Sequence, residues 1–227
     1  MDPFRYVGQE LDLFAEVRNW KAYWADQIRP FVRGDVLEVG AGLGANTELL
    51  AQGAGGRWLC LEPDARLAAA LHVKAGCETV CGTLDSVEGQ RFDTIIYIDV
   101  LEHIEDDKQE LRRAAAHLRP EGSLIVLSPA HQILRSPFDT ALGHLRRYNR
   151  AMLRKISPAG TRLALLRYLD SMGVAALTAN ALILRQSLPR QWELRLWDRC
   201  MVPVSRVLDK LLVYSFGKSI VAVWQKL

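Results

Sequence analysis

Three glycines at alternate positions are the part of the sequence whose spacing most directly suggests chemistry. Gly40, Gly42 and Gly44 follow the apolar run Val36–Val39 and precede Asn46, where a helical pattern begins. A chain that turns sharply and lets a ligand touch bare backbone needs residues without a Cβ atom at such points. Amides at the start of the helix then donate to a polar or anionic group. The segment predicts a ligand-binding turn between a strand and a helix.

The spacing of these glycines leaves more than one ligand open. The segment from Gly40 to Ala45 fits the dinucleotide pattern G-x-G-x-x-G, with the alanine that this pattern tolerates at its last position. No G-K-[ST] follows, which argues against a nucleoside triphosphate. Carboxyl groups end the next two apolar runs. Glu62 comes about twenty residues after the loop, where an acid accepts both ribose hydroxyls, and Asp85 follows the third run.

Three side chains are candidate catalytic groups. His103 follows the fourth apolar run, His131 follows the fifth, and Tyr148 lies further along the chain. The carboxyl ends of strands in an open α/β sheet are where ligands bind, so these residues could contact a substrate or accept its proton. For both histidines a structural role, such as bonding a loop carbonyl, is the alternative.

A basic segment adds a candidate substrate-binding group. His144, Arg146 and Arg147 stand within Gly143–Tyr148. The guanidinium group of arginine donates two parallel hydrogen bonds to a phosphate or carboxylate, so the segment is predicted to bind an anionic part of a substrate. A solvated basic turn is the alternative.

Strands that alternate with helices must position these groups. Short apolar runs predict strands at Val36–Val39, Trp58–Leu61, Thr79–Cys81, Thr94–Ile98, Leu124–Leu127, Arg162–Leu169 and Ser219–Val223. Helical patterns lie near Asn46–Ala51, Asp64–Ala75, Asp106–Leu118 and Arg150–Ile156. This alternation predicts βαβ units, with helices on both faces of a parallel sheet. Residues 129–148 are expected to be mostly loop, and the segment from Arg119 to Gly122 a turn.

Residues 171–217 form an expected helical insertion before the last strand. Val204, Val207, Leu208, Leu211 and Leu212 follow the spacing of an amphipathic helix. Basic residues recur around Trp192 and Trp197, which is typical of a helix lying on an anionic bilayer. Core packing, contact with a membrane or lipid-linked substrate, and dimerisation all remain open for this stretch.

Composition fits one globular domain, residues 1–227, with 49% hydrophobic and 24% charged residues. Residues 1–127 carry 13 Lys/Arg against 21 Asp/Glu, a net −8, and residues 128–227 carry 16 against 5, a net +11. This asymmetry suggests that the C-terminal part faces an anionic partner. The four cysteines lack zinc-ligand spacing and are expected to be buried, reduced thiols. With no apparent signal peptide, a cytoplasmic location is expected, with peripheral contact at the inner face of the membrane as an extension.

The motifs and their order resemble class I S-adenosylmethionine-dependent methyltransferases. The pattern E-x-G-x-G-x-G begins at Glu38, and the segment from Phe92 to Ile104 is similar to the F-D-x-I…L-E-H-I segment of ubiquinone-type O-methyltransferases. The segment from Leu118 to Leu124 matches L-[RK]-P-G-G-x-L except that Glu121 replaces the first glycine. G-H-x-R-R-Y is similar to a bacterial subgroup associated with glycan and cell-envelope biosynthesis.

The resemblance implies an α/β fold with a doubly wound, mostly parallel seven-stranded sheet whose last strand is antiparallel. It implies S-adenosylmethionine as cofactor and no metal. The implied cofactor contacts are Glu38, Gly40, Gly42, Gly44, Asn46, Glu62, Pro63, Leu84, Asp85, Asp99 and Val100. An N-terminal helix over residues 8–31 is expected to cap the pocket, with Trp20 and Trp24 packing over it or into the core.

The implied reaction is methyl transfer to oxygen, or less favourably nitrogen, of a small molecule or glycan intermediate, anionic or lipid-linked. The protein is expected to be a monomer or homodimer. A nicotinamide-dependent oxidoreductase and a non-catalytic cofactor-binding or interaction protein are the alternatives. Nucleic acid is not expected as the substrate, because Ile98–Leu101 stands where base methyltransferases carry an Asn-Pro-Pro-Tyr-type motif.

Overall fold

Seven strands form one mixed sheet at the centre of the protein, in the order β3-β2-β1-β4-β5-β7-β6. A computed structural model describes residues 16–75, 77–179 and 190–227. The strands are β1 Gly34–Val39, β2 Gly55–Glu62, β3 Glu78–Cys81, β4 Phe92–Ile98, β5 Leu118–Pro129, β6 Thr161–Leu169 and β7 Ser219–Lys226. The pairs among β1 to β5 are parallel, and β7 runs antiparallel to both β5 and β6. The predicted α/β fold with seven strands is confirmed, and the sheet is mixed.

Helices cover both faces of this sheet because its central strands are apolar on both sides. Along β4, Ile95 and Tyr97 pack into one buried cluster, while Ile96 and Ile98 pack into the other. Continuous apolar runs of this kind are typical of parallel strands that are covered on both faces. The α-helices of the described residues are α1 Asn19–Ile28, α2 Ala45–Leu50, α3 Ala65–Ala75, α4 Asp107–Ala116, α5 Pro137–Leu142, α6 Arg150–Lys155, α7 Ser171–Ala179, α8 Gln191–Leu196 and α9 Val202–Leu211.

Helix α5 interrupts the stretch that was predicted to be loop. Ser136 caps its first turn, and the Asp139 side chain accepts a hydrogen bond from the Ser136 amide at 2.8 Å. This S-x-x-D spacing is a capping box, a signal present in the sequence that the loop prediction overlooked.

The N-terminal helix is shorter in the structure than the predicted span. Helix α1 begins at Asn19, and residues 8–15 of the prediction lie outside the described residues. Trp20 and Trp24 are buried in the hydrophobic core. Of the two placements expected for these rings, the structure shows the core.

Helix α9, in the insertion between β6 and β7, packs polar side chains inward. Helix α8 continues through a π-helical turn, Trp197–Met201, into α9. The buried positions of α9 are Val202, Ser205 and Asp209. Core packing was one of the three roles left open for the apolar stripe, but its members Val204, Val207, Leu211 and Leu212 are exposed on the described chain.

Buried carboxylates explain why the polar face of α9 turns inward. Asp209 accepts the Tyr23 hydroxyl at 2.7 Å and the Asp170 amide at 2.6 Å. Trp197, which the membrane alternative would place at an interface, is buried and donates to Asp170 at 2.8 Å. Trp192 is exposed. No helix within the described ranges is long and apolar enough to cross a bilayer.

The four cysteines are free, but they are not all buried as predicted. Cys60 is buried and Cys77 is half-buried, whereas Cys81 and Cys200 are exposed. Cys81 lies at the end of the edge strand β3 and Cys200 in the π-helical turn, which accounts for their exposure.

The segment predicted as a turn before the fifth strand belongs to β5 itself, as an irregularity in its pairing. Leu118 pairs with Phe92, and regular pairing resumes between Ser123 and Thr94. Within the irregularity Glu121 has φ +62°, the left-handed region that glycine adopts without strain. This is the position at which Glu121 replaces the glycine of the family pattern.

Replacing Glu121 with glycine should therefore stabilise the protein. Relief of the left-handed strain, offset by the greater entropy of an unfolded glycine, should raise the free energy of unfolding by about 0.5–1 kcal/mol. Urea denaturation measures this change. Glu88→Gly is the matched control: Glu88 is also exposed but has φ −53°, so its replacement should lower stability. A loss of stability in Glu121→Gly would show that the strain is not the dominant effect.

Candidate functional site

The candidate site lies at the edge of the sheet where β1, β2, β4 and β5 end. These strands are parallel, so the loops that follow them lie together. Two residues at this edge, Asp99 after β4 and His131 after β5, have positive φ values of 53° and 61° without being glycine. Backbone strain of this kind is concentrated at functional sites.

The glycine turn has the backbone that its sequence predicts. Gly40, Gly42 and Gly44 have φ values of 68°, 56° and 80°. A Cβ atom at Gly40 would lie 2.6 Å from a methyl of Val100, so no larger residue fits there. The turn after β1 is thereby packed against the loop after β4, and the two predicted cofactor contacts Gly40 and Val100 lie together.

Glu62 holds the glycine turn in place. Its carboxylate accepts the Gly42 amide at 2.9 Å through one oxygen and the Asp64 amide at 2.9 Å through the other. Burial raises the pKa of Glu62, and these two hydrogen bonds oppose the rise. A carboxylate has about four lone-pair positions, so Glu62 can still accept hydroxyl groups from a ligand.

Glu38 is buried beneath the turn with one oxygen unsatisfied. Its Oε2 accepts the Thr47 hydroxyl at 2.6 Å and the Trp58 indole at 2.9 Å. Its Oε1 is buried without a hydrogen-bond partner among the described residues. Burial raises the pKa of Glu38 to about 7, despite those two hydrogen bonds.

The remaining predicted cofactor residues surround the same edge. Leu84 is buried, whereas Pro63 and Asn46 are half-buried. Asp85 is exposed and pairs with Arg113 of α4. Asp99 is open to solvent, yet the surrounding protein desolvates its carboxyl group and raises its pKa to about 6.

Two predicted histidines contact each other face to edge near Asp99. The rings of His103 and His144 have centroids 4.9 Å apart and planes at 81°. His144 is buried, and its Nδ1 bonds Asp139 at 2.9 Å. Burial, and then the neighbouring His144, lower the pKa of His103 to about 4. His103 is therefore neutral at physiological pH.

Asp139 organises the predicted basic segment. Its Oδ1 also accepts the Nε–H of Arg147 at 2.8 Å. Although burial opposes ionisation, the hydrogen bonds from His144 and Arg147 hold the pKa of Asp139 well below its ordinary value. Arg147 is itself buried and also donates to the Ala130 carbonyl.

Arg146 and Tyr148 bind the loop that follows β4. Arg146 donates to the carbonyls of Ile104 and Glu105 and pairs with Asp107 at 2.9 Å. Tyr148 is fully buried, and its hydroxyl donates to Asp107 at 2.7 Å. Burial, followed by this hydrogen bond, raises the pKa of Tyr148. These contacts favour a positioning role for the G-H-x-R-R-Y segment over direct binding of an anion or catalysis by Tyr148.

His131 is stacked within the protein. Its ring lies 4.4 Å from that of Tyr168 and 5.5 Å from that of Phe216. Burial, and then Arg147 and Arg150, lower its pKa. Its Nε2 is buried without a hydrogen-bond partner in the described part of the chain, so His131 reaches a substrate only if its neighbours move.

Sequence reasoning missed the buried acids of the site. It assigned no role to Glu102 or Asp139, because the sequence alone does not indicate whether an acidic side chain in a loop is buried. Glu102 stood inside the L-E-H-I motif, and Asp139 stood in the capping box of α5, so both positions carried a signal that could have been used.

The fold and this site together define an α/β enzyme with a nucleoside-type cofactor. The chain matches the family described as Methyltransferase domain over residues 12–177. It is 30% identical over 203 residues to trans-aconitate 2-methyltransferase of Deinococcus radiodurans, covering 80% of this chain and 74% of that protein.

Solved structures share the fold. A chain from the complex between the Haloferax volcanii Trm112 methyltransferase activator and a candidate methyltransferase superposes with a TM-score of 0.66 at 16% identity, over 97% of this chain and 99% of that one. A S-adenosylmethionine-dependent methyltransferase from Clostridium acetobutylicum gives 0.59 at 11% identity, over 96% and 95%.

The chain belongs to the Methyltransferase domain family, and it is an S-adenosylmethionine-dependent methyltransferase. The predictions of family, enzyme class and cofactor are confirmed. The oxidoreductase and non-catalytic alternatives are not supported by these matches.

The raised pKa of Glu38 predicts a pH-dependent stability of the ligand-free protein. The fold holds a proton on Glu38 up to about pH 7, whereas the unfolded chain releases it near 4.5. The stabilisation from this proton is complete below pH 4.5 and is lost as pH rises through 7. At about 1.4 kcal/mol per pH unit, the wild type should lose on the order of 3 kcal/mol relative to Glu38→Gln.

Urea denaturation of both proteins at pH 5 and pH 8 measures this difference, because other titrating groups cancel between them. Parallel pH profiles for the two proteins would show that Glu38 is ionised throughout.

Proposed function

We propose that the glycine turn, Glu62 and Glu38 bind S-adenosylmethionine. The remaining acceptor positions of Glu62 fit the ribose hydroxyls. The unsatisfied Oε1 of Glu38 fits a cationic donor such as the ammonium group of the cofactor. Gly40 has no room for a Cβ atom because Val100 packs against it, and this contact holds the turn in place for the ligand. Gly42, Gly44, Asn46, Pro63, Leu84, Asp85, Asp99 and Val100 complete the proposed contacts.

We propose that the protein methylates an oxygen atom of a small molecule. The bound cofactor supplies an electrophilic methyl group, so the chain has to orient the acceptor and exclude water. The observation that carries this proposal is the neutral imidazole of His103, partly open to solvent at the edge of the sheet where the cofactor turn lies. A neutral imidazole can accept a hydrogen bond from a hydroxyl acceptor. Nitrogen remains the second choice of acceptor atom.

The acceptor proposed here carries negative charge. Arg147 and Lys218 place positive charge near Asp99, and the 128–227 part of the chain has a net charge of +11. The Deinococcus relative is named for trans-aconitate, an anionic small molecule. A glycan or lipid-linked intermediate that carries a phosphate or carboxylate group is also negatively charged and fits the same proposal.

The exposed face of α9 supports a lipid-linked acceptor. Val207, Leu211 and Val213 are 60%, 73% and 79% exposed. Contact between water and a group of apolar side chains is unfavourable, and such exposed patches are typical of interaction surfaces. Lys210 is exposed beside them, and Arg199 precedes them. Apolar side chains flanked by cations are typical of a helix that contacts an anionic lipid surface.

Two substitutions should separate cofactor binding from acceptor contact. Glu62→Ala should weaken S-adenosylmethionine binding by about 10- to 100-fold, because it removes hydrogen bonds to a charged group. His103→Ala should keep the cofactor affinity and lower kcat by at least about tenfold at pH 6 to 9, since His103 stays neutral over that range. Calorimetry measures the affinity, and release of S-adenosylhomocysteine measures the turnover.

Glu78→Ala and His117→Ala are the matched controls, because Glu78 is exposed at the sheet edge and His117 ends α4. Both controls should behave as the wild type. Full activity in His103→Ala would show that His103 does not contact the acceptor. Unchanged affinity in Glu62→Ala would show that Glu62 does not bind the cofactor.

Membrane contact through α9 is tested by vesicle co-sedimentation. The wild type should sediment with phosphatidylglycerol vesicles at low salt and less as salt rises. Val207→Glu with Leu211→Glu should abolish sedimentation without unfolding, because both side chains are exposed. Leu227→Glu, which is 79% exposed and lies after β7 beside Gly160, is the control and should sediment normally. A wild type that stays in solution at low salt would contradict the contact.

A further inference from the structure

Three potential metal ligands meet at the edge of the sheet, near Asp99. Glu102, His103 and His144 each offer one donor atom, and these atoms all lie within 4.8 Å of one another. The residues come from two separate segments. Glu102 and His103 lie in the loop after β4, and His144 lies in the segment that connects α5 and α6. The Leu145 amide donates to the Glu102 carbonyl at 2.9 Å and fixes the two segments together.

The Glu102 carboxyl group lies in an environment with few polar partners. Its side chain is fully buried, and neither oxygen makes a hydrogen bond of normal geometry among the described residues. The neighbouring Ser128 hydroxyl, itself buried and unpaired, is the polar side chain next to it. A carboxyl group removed from water is unfavourable unless it is paired or coordinates a metal. Its Oε1 lies 4.0 Å from the Nε2 of His144, so it is directed into the cluster.

The orientation of His144 suits a metal ligand. Its Nδ1 lies 2.9 Å from Asp139, a carboxylate that can only accept. Nδ1 therefore carries the hydrogen, and Nε2 presents its lone pair towards Glu102. A carboxylate behind a histidine is the arrangement that fixes the tautomer of metal-binding imidazoles.

We propose that Glu102, His103 and His144 bind a divalent transition-metal ion, with Asp139 positioning His144. Two imidazoles and one carboxylate suit Zn²⁺, Co²⁺, Mn²⁺ or Fe²⁺ and leave coordination positions open. Ligand bonds of about 2.1 Å place donors about 3.0–3.5 Å apart, so the cluster has to contract by about 1 Å. His103, which is partly open to solvent, can rotate to allow this contraction. This proposal differs from the expectation, drawn from the family resemblance, that the protein uses no metal.

The open positions of the ion would face an oxygen of the acceptor. This role, but not the binding of the ion, rests on the proposed function. An oxyanion or hydroxyl bound to the ion would be held at the strand edge where we place the acceptor, and His103 would then contact the acceptor through the metal.

Cobalt binding tests the site without any need for turnover. The full chain, stripped with a chelator, should bind about one Co²⁺ with visible d–d absorption and without the near-ultraviolet band of a cobalt thiolate. His103→Ala and Glu102→Gln should each weaken binding by more than about tenfold, and Asp139→Asn by about 10- to 100-fold. His117→Ala is the control and should bind as the wild type does.

Circular dichroism checks the folding of each variant. If the variants of the buried residues Glu102 and Asp139 unfold, His103→Ala still tests the site, because the His103 side chain is partly open to solvent. Added Zn²⁺ should also raise the Tm of the wild type but not that of His103→Ala. No binding at 1 mM Co²⁺, a thiolate band, or undiminished affinity in His103→Ala would each overturn the site. Failure of the metal site would not count against the proposed methyl transfer, because cofactor binding by Glu62 is measured separately, in metal-free protein.

Discussion

Buried carboxyl groups are the constraint on which the arrangement of this protein depends. A carboxylate removed from water must find donors or neutralise itself. Asp209 joins α9 to α1 and to the start of α7 through Tyr23 and Ser171. Asp198 accepts the amide of Trp20 at 2.9 Å and so fixes the first turn of α1. Helix α9 turns its polar face inward because these acids need partners, and its apolar stripe is left outside as a consequence.

The same constraint distinguishes the ligand-facing groups from the structural ones. Glu62 and Asp139 have donors for their carboxylates within the fold. Glu38 keeps one oxygen without a partner, and Glu102 keeps two, among the described residues. Both exceptions lie at the edge of the sheet where β1 and β4 end. In our account Glu38 faces the cofactor and Glu102 faces a metal ion, so the unsatisfied oxygens mark two neighbouring ligand sites.

Much of the fold could be predicted because its signals are local. The predicted strand Thr94–Ile98 lies within β4, and the glycine turn has the positive φ values that its sequence requires. The inward face of α9 could not be predicted, because Asp209 finds its donors on other elements far along the chain. In the same way, Arg147 reads as an exposed cation in the sequence, yet tertiary contacts bury it against Asp139.

The central claim is that the unsatisfied oxygens of Glu38 and Glu102 face different ligands. Calorimetric titration of S-adenosylmethionine into the wild type, Glu38→Gln and Glu102→Gln tests it most directly. Our account predicts an affinity about 10- to 100-fold weaker in Glu38→Gln and an unchanged affinity in Glu102→Gln. Equal affinities in all three folded proteins, or an equal loss in both variants, would contradict the claim.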